Sequence, residues 1–390
     1  MLNFYPQALV VNQLKLASSR GLSAGPLLKS RYFAKHSDIL TLMKNLLKII
    51  SIVFFLYTAN AFAIRVNAIY KADLPVASQS ANERDQMLPD ALAQVLTKVS
   101  GTTQVLDNPA IKTQLKDASS LMQEYSYQKN TGNTAKPYRL IVQFDSEAIN
   151  KILTDANIPI WGANRPLITV WIDDELANHS PELIDNSSQN AILNLLKTEA
   201  DNRGLPIIFP MMDVTDMNIV SSNDFVTQNV PNLQKASERY GSDAILLARI
   251  MHSDTGITVQ AKLILGKDVW GWNLSDKTMA PIMTTLVDTV THALAERYAT
   301  AVKPTIQENM TLKVINVAEE DDFSHMMNYI EHLTPVSDVQ IVRVEGNEVI
   351  LSISLRATRD SFLQALMIGK KLSPVADQQN QNLMVYQWNR

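Results

Sequence analysis

The spacing of apolar positions changes along the chain, and each change predicts a different element. From Arg65 to Val76 apolar and polar residues alternate loosely and stop near Pro75, as in a strand. Ser80-Ala81-Asn82-Glu83 has capping-box spacing: the serine oxygen accepts from a first-turn amide and the glutamate reaches back to the cap amide. Met87, Ala91, Leu92, Val95, Leu96 and Val99 then recur at helical spacing up to Gly101, a left-handed stop. Pro89 lacks an amide proton inside this pattern and predicts a kink or a ragged first turn. A second strand is expected over Tyr138–Phe144, followed by a helix presenting Ile149, Ile152 and Leu153.

After Pro166 the pattern becomes buried strands alternating with helices. Leu167–Ile172 (LITVWI) is almost unbroken apolar sequence, which suits a strand covered on both faces. Ala191–Arg203 reads as a helix turning Ile192, Leu195, Leu196 and Ala200 inward and ending at Gly204, and Leu205–Pro210 (LPIIFP) as a short strand. Arg239–Ile250 (RYGSDAILLARI) combines a helix end, Gly241 as terminator and a strand from Ala244. Alternation over Ile257–Leu265, a turn at Gly266-Lys267-Asp268, a strand over Val269–Leu274 and a helix over Pro281–Tyr298 complete this module. The third module has the order βαββαβ, from Thr311–Val317 to Leu383–Trp388, with a hairpin at Glu345-Gly346-Asn347-Glu348; that order is the signature of a ferredoxin-like unit. The expected fold class is therefore α/β and α+β, in three small mixed modules over 64–160, 161–301 and 311–390, with a linker at 302–310.

Met43–Ala63 (MKNLLKIISIVFFLYTANAFA) changes the picture of compartment. Lys44 and Lys48 precede a short apolar core, and Ala61-Phe62-Ala63 supplies small residues for cleavage, so a secretory signal peptide cut after Ala63 is expected. Its core falls short of the roughly 20 residues a membrane span needs. Residues 1–42 precede a credible initiator at Met43 and read as an over-extended start. The chain has no Cys, which removes lipid attachment at a cysteine, disulfides and thiolate chemistry. Cleavage would take seven Lys and Arg and one Asp from the 35 basic and 39 acidic residues, moving the formal charge from −4 to −10. That balance disfavours nonspecific nucleic-acid binding, and no integral membrane span is expected in the mature chain.

Candidate chemistry is sparse. Ser242 beside Asp243 lacks the Gly-x-Ser-x-Gly elbow of an exposed nucleophile and reads as a helix-to-strand joint. His179, His252, His292, His325 and His332 form no metal-binding motif; His292 is placed to pair with Asp288. Glu319-Glu320-Asp321-Asp322 opens a helix, where carboxylates meet free amides. No phosphate-binding glycine loop occurs, and no cofactor is expected. Asp173 and Asp174 end a buried strand, where open α/β sheets place ligands, although adjacent strand residues face opposite ways. Trp270 and Trp272 share a strand face and are expected to lie exposed together. These four residues are the candidate contacts for a ligand or partner.

The blocks ADLPVASQSANERDQMLPDALAQVLTKVSG, NIPIWGANRPLITVWIDD, RGLPIIFPMMD and RYGSDAILLARI resemble, over Arg65 to Ala301, the uncharacterised family of exported bacterial proteins numbered 2066 among domains of unknown function. At fold level the first module is similar to the amino-terminal domain of the flagellar T-ring protein. The second is similar to the α/β domain in that protein, in the amino-terminal part of the Tol translocation protein and in periplasmic activators of cell-wall synthases. The resemblance implies a periplasmic adaptor or scaffold of the cell envelope, non-enzymatic, with an envelope protein as partner and the outer membrane as one place of association. The alternative is a periplasmic small-ligand binder or hydrolase with its site near Asp173 and Asp174.

Overall fold

The computed structural model describes residues 69–131, 135–175, 182–186, 190–227, 229–302, 308–375 and 383–389. The expected start, the signal peptide at 43–63, the first residues of the Arg65–Val76 strand, His179 and most of the 302–310 linker lie outside the described residues. Strand β1 (Lys71–Val76), helices α1 (Ala81–Ser100) and α2 (Pro109–Leu115), strands β2 (Met122–Lys129) and β3 (Tyr138–Phe144) and helix α3 (Ser146–Asp155) build an antiparallel sheet of order β1-β3-β2. Leu140, Val142 and Phe144 of the central strand share a core with Leu92, Val95, Leu96 and Val99 of α1. Strand β2 was not expected, because its MQEYSYQK sequence is exposed at most positions and carries no core-facing alternation.

The cap of α1 differs from a reciprocal box. Ser80 Oγ accepts from the Glu83 amide at 3.2 Å, but the Glu83 carboxylate accepts from the amides of Ala77 and Ser78 at 2.7 and 2.8 Å, so it fastens the preceding turn. Of the two expectations at Pro89, the ragged first turn is corrected. The helix runs unbroken for 20 residues, the missing amide being outweighed by the buried Leu88, Ala91 and Leu92 on its core side.

The second stretch comprises β4 (Ile168–Glu175), β5 (Glu182–Leu183), α4 (Ala191–Arg203), β6 (Ile207–Ile208), α5 (Val214–Met217), α6 (Ser222–Val226), α7 (Val230–Ser237), β7 (Ala244–Ser253), β8 (Gly256–Leu265), β9 (Asp268–Asp276) and α8 (Met279–Tyr298). Its sheet runs β5-β4-β7-β8-β9, with β6 beside β4. Strands β4 and β7 are parallel, and β7, β8 and β9 form an antiparallel meander. Ile168, Val170 and Ile172 share a core with residues of α4 and α8, whereas Trp171 joins Leu233 and Ala236 of α7 on the other side. LPIIFP shrinks to a two-residue strand bracketed by Pro206 and Pro210, which have no amide to give a ladder. RYGSDAILLARI is a joint: Gly241 is left-handed at φ 62°, the Asp243 carboxylate accepts from the Leu167 amide at 2.9 Å, and Ser242 meets the Thr169 hydroxyl at 2.7 Å.

The third stretch comprises β10 (Glu308–Ile315), α9 (Glu320–Glu331), β11 (Val336–Glu345), β12 (Glu348–Leu355), α10 (Arg359–Met367), β13 (Leu372–Pro374) and β14 (Leu383–Trp388), with sheet order β11-β12-β10-β14-β13. Its first half is a split βαβ unit, since β12 lies between β10 and β11 and is antiparallel to both. The expected six-element order gains a strand: β13 hairpins into β14, which lies parallel to β10. The class is mixed α/β, in three sheets.

Residues 161–165 tie these three sheets together. Arg165 is almost fully buried. Its Nη2 donates to the carbonyls of Lys98 and Trp161, its Nη1 to those of Arg203 and Gly204 at 2.8 and 3.0 Å, and its Nε to that of Gly162 at 3.0 Å. The guanidinium also lies 4.1 Å from the centre of the Trp161 ring. Lys98 and Arg203 stand in the last turns of α1 and α4, where carbonyls lack helical partners and carry the negative end of the dipole. Asn164 turns the other way and donates to the Ala365 carbonyl of α10 at 2.8 Å.

Lys98 also supplies a pH signature. It is buried and donates to the Lys71 carbonyl at 2.8 Å, and burial, aided by Arg165, pushes its ammonium down to about 8. An unfolded lysine titrates near ~10.4, so above about pH 8 the unfolded chain holds a proton that the folded chain has released. Stability is therefore expected to rise with pH across that window. Urea midpoints measured at about pH 7.5 and 9.5 should show the rise, and Lys98→Met should flatten it.

Candidate functional site

The register of the large sheet assembles a polar row that no single segment of sequence contains. Asp173 on β4 lies opposite Arg249 on β7, Arg249 opposite Gln260 on β8, and Gln260 opposite Asn273 on β9. All four stand on the Trp171 side of the sheet, because side chains alternate along each strand. On this side α6 and α7 share a core with Trp171, Ile245 and Leu247, whereas α8 packs against β8 and β9 from the opposite side. A groove of about 280 Å³ remains over β7, β8 and β9, lined by Phe225, Arg249, Gln260, Lys262, Gly271 and Asn273 among others.

Asp173 is fully buried, inside β4 and not beyond its end as the sequence suggested. Neither carboxylate oxygen has a partner at hydrogen-bond geometry, and Arg249 Nε stands 3.8 Å from Oδ2. Burial raises the pKa of this carboxyl, and the neighbouring Ser222 hydroxyl and Arg249 offset only part of that rise. Arg249 is held by Glu175, its Nη2 donating to Oε2 at 2.5 Å. Asp174 faces the other way and meets His252 Nε2 at 2.9 Å. The two candidate aspartates are thus parted by the sheet itself.

Trp270 and Trp272 do share a face of β9, but it is the face toward α8, where both are half-buried against the core. Their expected joint exposure is corrected; the outward positions of β9 are Val269, Gly271, Asn273 and Ser275. The acidic run at Glu319–Asp322 caps α9, with Glu319 and Asp322 forming the box. His325 and His332 are exposed, and His292 pairs with Glu296 at 3.4 Å because Asp288 is taken by Arg203 at 2.7 Å. Among the described residues no group of three or more His, Asp or Glu side chains is placed to hold a metal ion, and no helix is long and apolar enough to cross a membrane.

Asp173 carries a stability prediction. A carboxyl whose folded pKa is raised holds its proton more tightly folded than unfolded, so its contribution is present at low pH and is lost as pH rises through the folded pKa. Asp173→Asn removes the buried charge with nearly unchanged shape. It is expected to raise unfolding free energy at neutral pH by about 1 kcal/mol, with no gain below about pH 4. Urea titrations at both pH values check this, and a loss at neutral pH would show that attraction to Arg249 wins.

Comparison with known proteins gives little beyond the first stretch. A family model described as Domain of unknown function (DUF8605) matches residues 63–162, which hold α1, the first sheet and the Trp161-Gly162 start of the hub. This match bears a different number from the family the sequence blocks resembled, and it ends well before Ala301. No curated protein matches the chain. Among solved structures, the crystal structure of TolB from Acinetobacter baumannii aligns at a TM-score of 0.22 and 9% identity, covering 51% of this chain and 38% of that one; a likeness so slight carries no argument.

Proposed function

We propose that the chain is an exported, periplasmic adaptor or scaffold of the bacterial cell envelope that works by binding another envelope protein rather than by catalysis. The observation that carries this reading is the groove over β7, β8 and β9, which leaves polar and charged side chains facing outward from a sheet whose other face is packed. Export is supported by the leader-like segment Met43–Ala63. The resemblance to the exported family numbered 2066 and to the flagellar T-ring protein agrees with this role, and association with the outer membrane fits the same setting. In-cell crosslinking of the tagged full chain, with mass spectrometry of the products and amino-terminal sequencing, tests the proposal. Reproducible crosslinks to one envelope protein, from a product beginning at Ile64, support it. A folded, exported product with no crosslinked partner overturns it.

The buried carboxyl, whose pKa burial raises, favours one other reading, a small-ligand binder or hydrolase using Asp173 alone. Asp173→Ala and Asp174→Ala separate the two. Loss of the cellular phenotype in folded Asp173→Ala, but not in Asp174→Ala, favours that reading, and an unchanged phenotype in both removes it.

A further inference from the structure

We infer that the free edge of β11 is a self-complementary interface, which pairs antiparallel with β11 of a second copy of this chain about a two-fold axis beside Gln340. The inference goes beyond the adaptor reading and does not depend on it. Strand β11 is ten residues long and pairs only with β12 among the described residues, so its outer edge offers an open ladder of amides and carbonyls. It also carries Ile341, Val342 and Val344, three apolar side chains within four positions, at 50%, 63% and 54% exposure.

A bulge gives this edge its symmetry. In a regular strand Asp338 and Arg343, an odd number of positions apart, would face opposite ways. The register with β12 skips a residue between Ile341 and Arg343, so Val342 is extra and the alternation resumes one place later. Asp338, Gln340 and Arg343 therefore lie opposite Ser354, Ser352 and Ile350, on the face away from the helices. Val339, Ile341 and Val344 lie opposite Ile353, Leu351 and Val349 on the core face, and Ile341 and Val344 run on past the covered part of that face. A copy turned about the axis beside Gln340 sets Asp338 against the partner's Arg343, and Arg343 against the partner's Asp338. On the core face the same turn sets Val339 against the partner's Ile341 and Val336 against the partner's Val344, so both faces match at once. Charge also selects this register. An axis beside Ile341 opposes Asp338 to the partner's Glu345, and one beside Arg343 opposes two guanidinium groups. Within the chain Arg343 meets Glu345, and Asp338 accepts from Gln340 at 3.0 Å. Both contacts run along the strand between exposed side chains, and the guanidinium and the carboxylate each have further hydrogen-bonding capacity for a partner across the edge.

Sedimentation velocity on the purified full chain, over a wide range of concentration at neutral pH, tests this. The expected result is a concentration-dependent dimer. Arg343→Asp and Asp338→Arg should each raise its dissociation constant about tenfold or more, because each variant opposes like charges twice across the axis. An equimolar mixture of the two variants should form a heterodimer, and the double variant Asp338→Arg with Arg343→Asp should return the homodimer, since both arrangements restore the two opposite-charge pairs. Lys116→Glu, a charge reversal far off in the first stretch, should leave association unchanged. Each single variant should melt as the parent does, so that loss of the dimer is not loss of the fold; recovery in the mixture and in the double variant is a second guard. A monomer at every concentration overturns the proposal, as does a dimer indifferent to both reversals. Single variants that dissociate without recovery in either the mixture or the double variant overturn it as well. None of these outcomes bears on crosslinks to an envelope protein, so this interface and the adaptor reading stand or fall separately.

Discussion

Arg165→Met is expected to destabilise the protein by about 3–5 kcal/mol, the range found when one partner of a buried charged network is removed. Methionine keeps the length of the stem and loses every donor. Five carbonyls, those of Lys98, Trp161, Gly162, Arg203 and Gly204, then lose their Arg165 donor. Replacing a buried ion pair by apolar groups is often tolerated because both partners go, but here the acceptors are backbone and stay. Two of them belong to the last turns of α1 and α4, so the substitution also uncouples the first sheet from the second. Arg165→Lys is expected to recover less than half of the loss, because one ammonium has three donors radiating from a point where the guanidinium has a planar fork. Thermal unfolding followed by calorimetry checks both variants. The parent should show its first two sheets melting together, Arg165→Met should split or broaden the transition, and a loss under about 1 kcal/mol would show that water replaces the guanidinium.

Elements with one wet and one buried face are legible in the sequence, as is the unbroken apolar run of β4. Helix α1 announced itself through its stripe and Gly101, α4 through its apolar spacing and Gly204, and β8 through strict alternation. What escaped has a physical reason in each case. Strand β2 is exposed at most positions and β13 is three residues long, so neither leaves a hydrophobic period to read. The register that sets Asp173 beside Arg249 links residues 76 positions apart and is fixed by strand pairing, which no local window contains. Asp173 is legible by its place at the end of an apolar run, and its burial beside Arg249 makes it the more pointed candidate; Asp174 and the tryptophans are parted from it by the alternation of the same sheet. Arg165 lies inside NIPIWGANRPLITVWIDD, where a lone arginine before a proline has no pattern to read. One signal was available in retrospect: a cation among Trp, Gly and Pro, directly ahead of a fully buried strand, is poorly placed to reach solvent.

Gly101→Ala should cost about 3 kcal/mol or more, and the comparison with Gly241→Ala shows why. Both glycines end helical segments with left-handed backbones, at φ 75° and 62°. Putting alanine into that conformation costs roughly 1–2 kcal/mol at either site. A Cβ at Gly241 meets nothing within 4 Å, so its substitution is expected to cost that strain alone. At Gly101 the new Cβ falls 2.3 Å from Ala295 Cβ on α8 and 2.9 Å from Trp161 Cε3. A Cβ cannot swing aside, and neither can the Cβ it strikes, so α1 and α8 must separate; overpacking of this kind adds about 1–3 kcal/mol. The contact lies where the first sheet's helix, the Trp161 hub and the last helix of the second stretch converge, so the loss should broaden the same joint melting transition that Arg165 sharpens. Removing the struck atom with Ala295→Gly should return part of the packing cost, less about 1 kcal/mol for a glycine inside a helix. A double-mutant cycle on urea midpoints measures that coupling. Equal losses for Gly101→Ala and Gly241→Ala, or no coupling to Ala295, would mean that the two helices part without resistance and that Arg165, not close packing, holds the first sheet to the second.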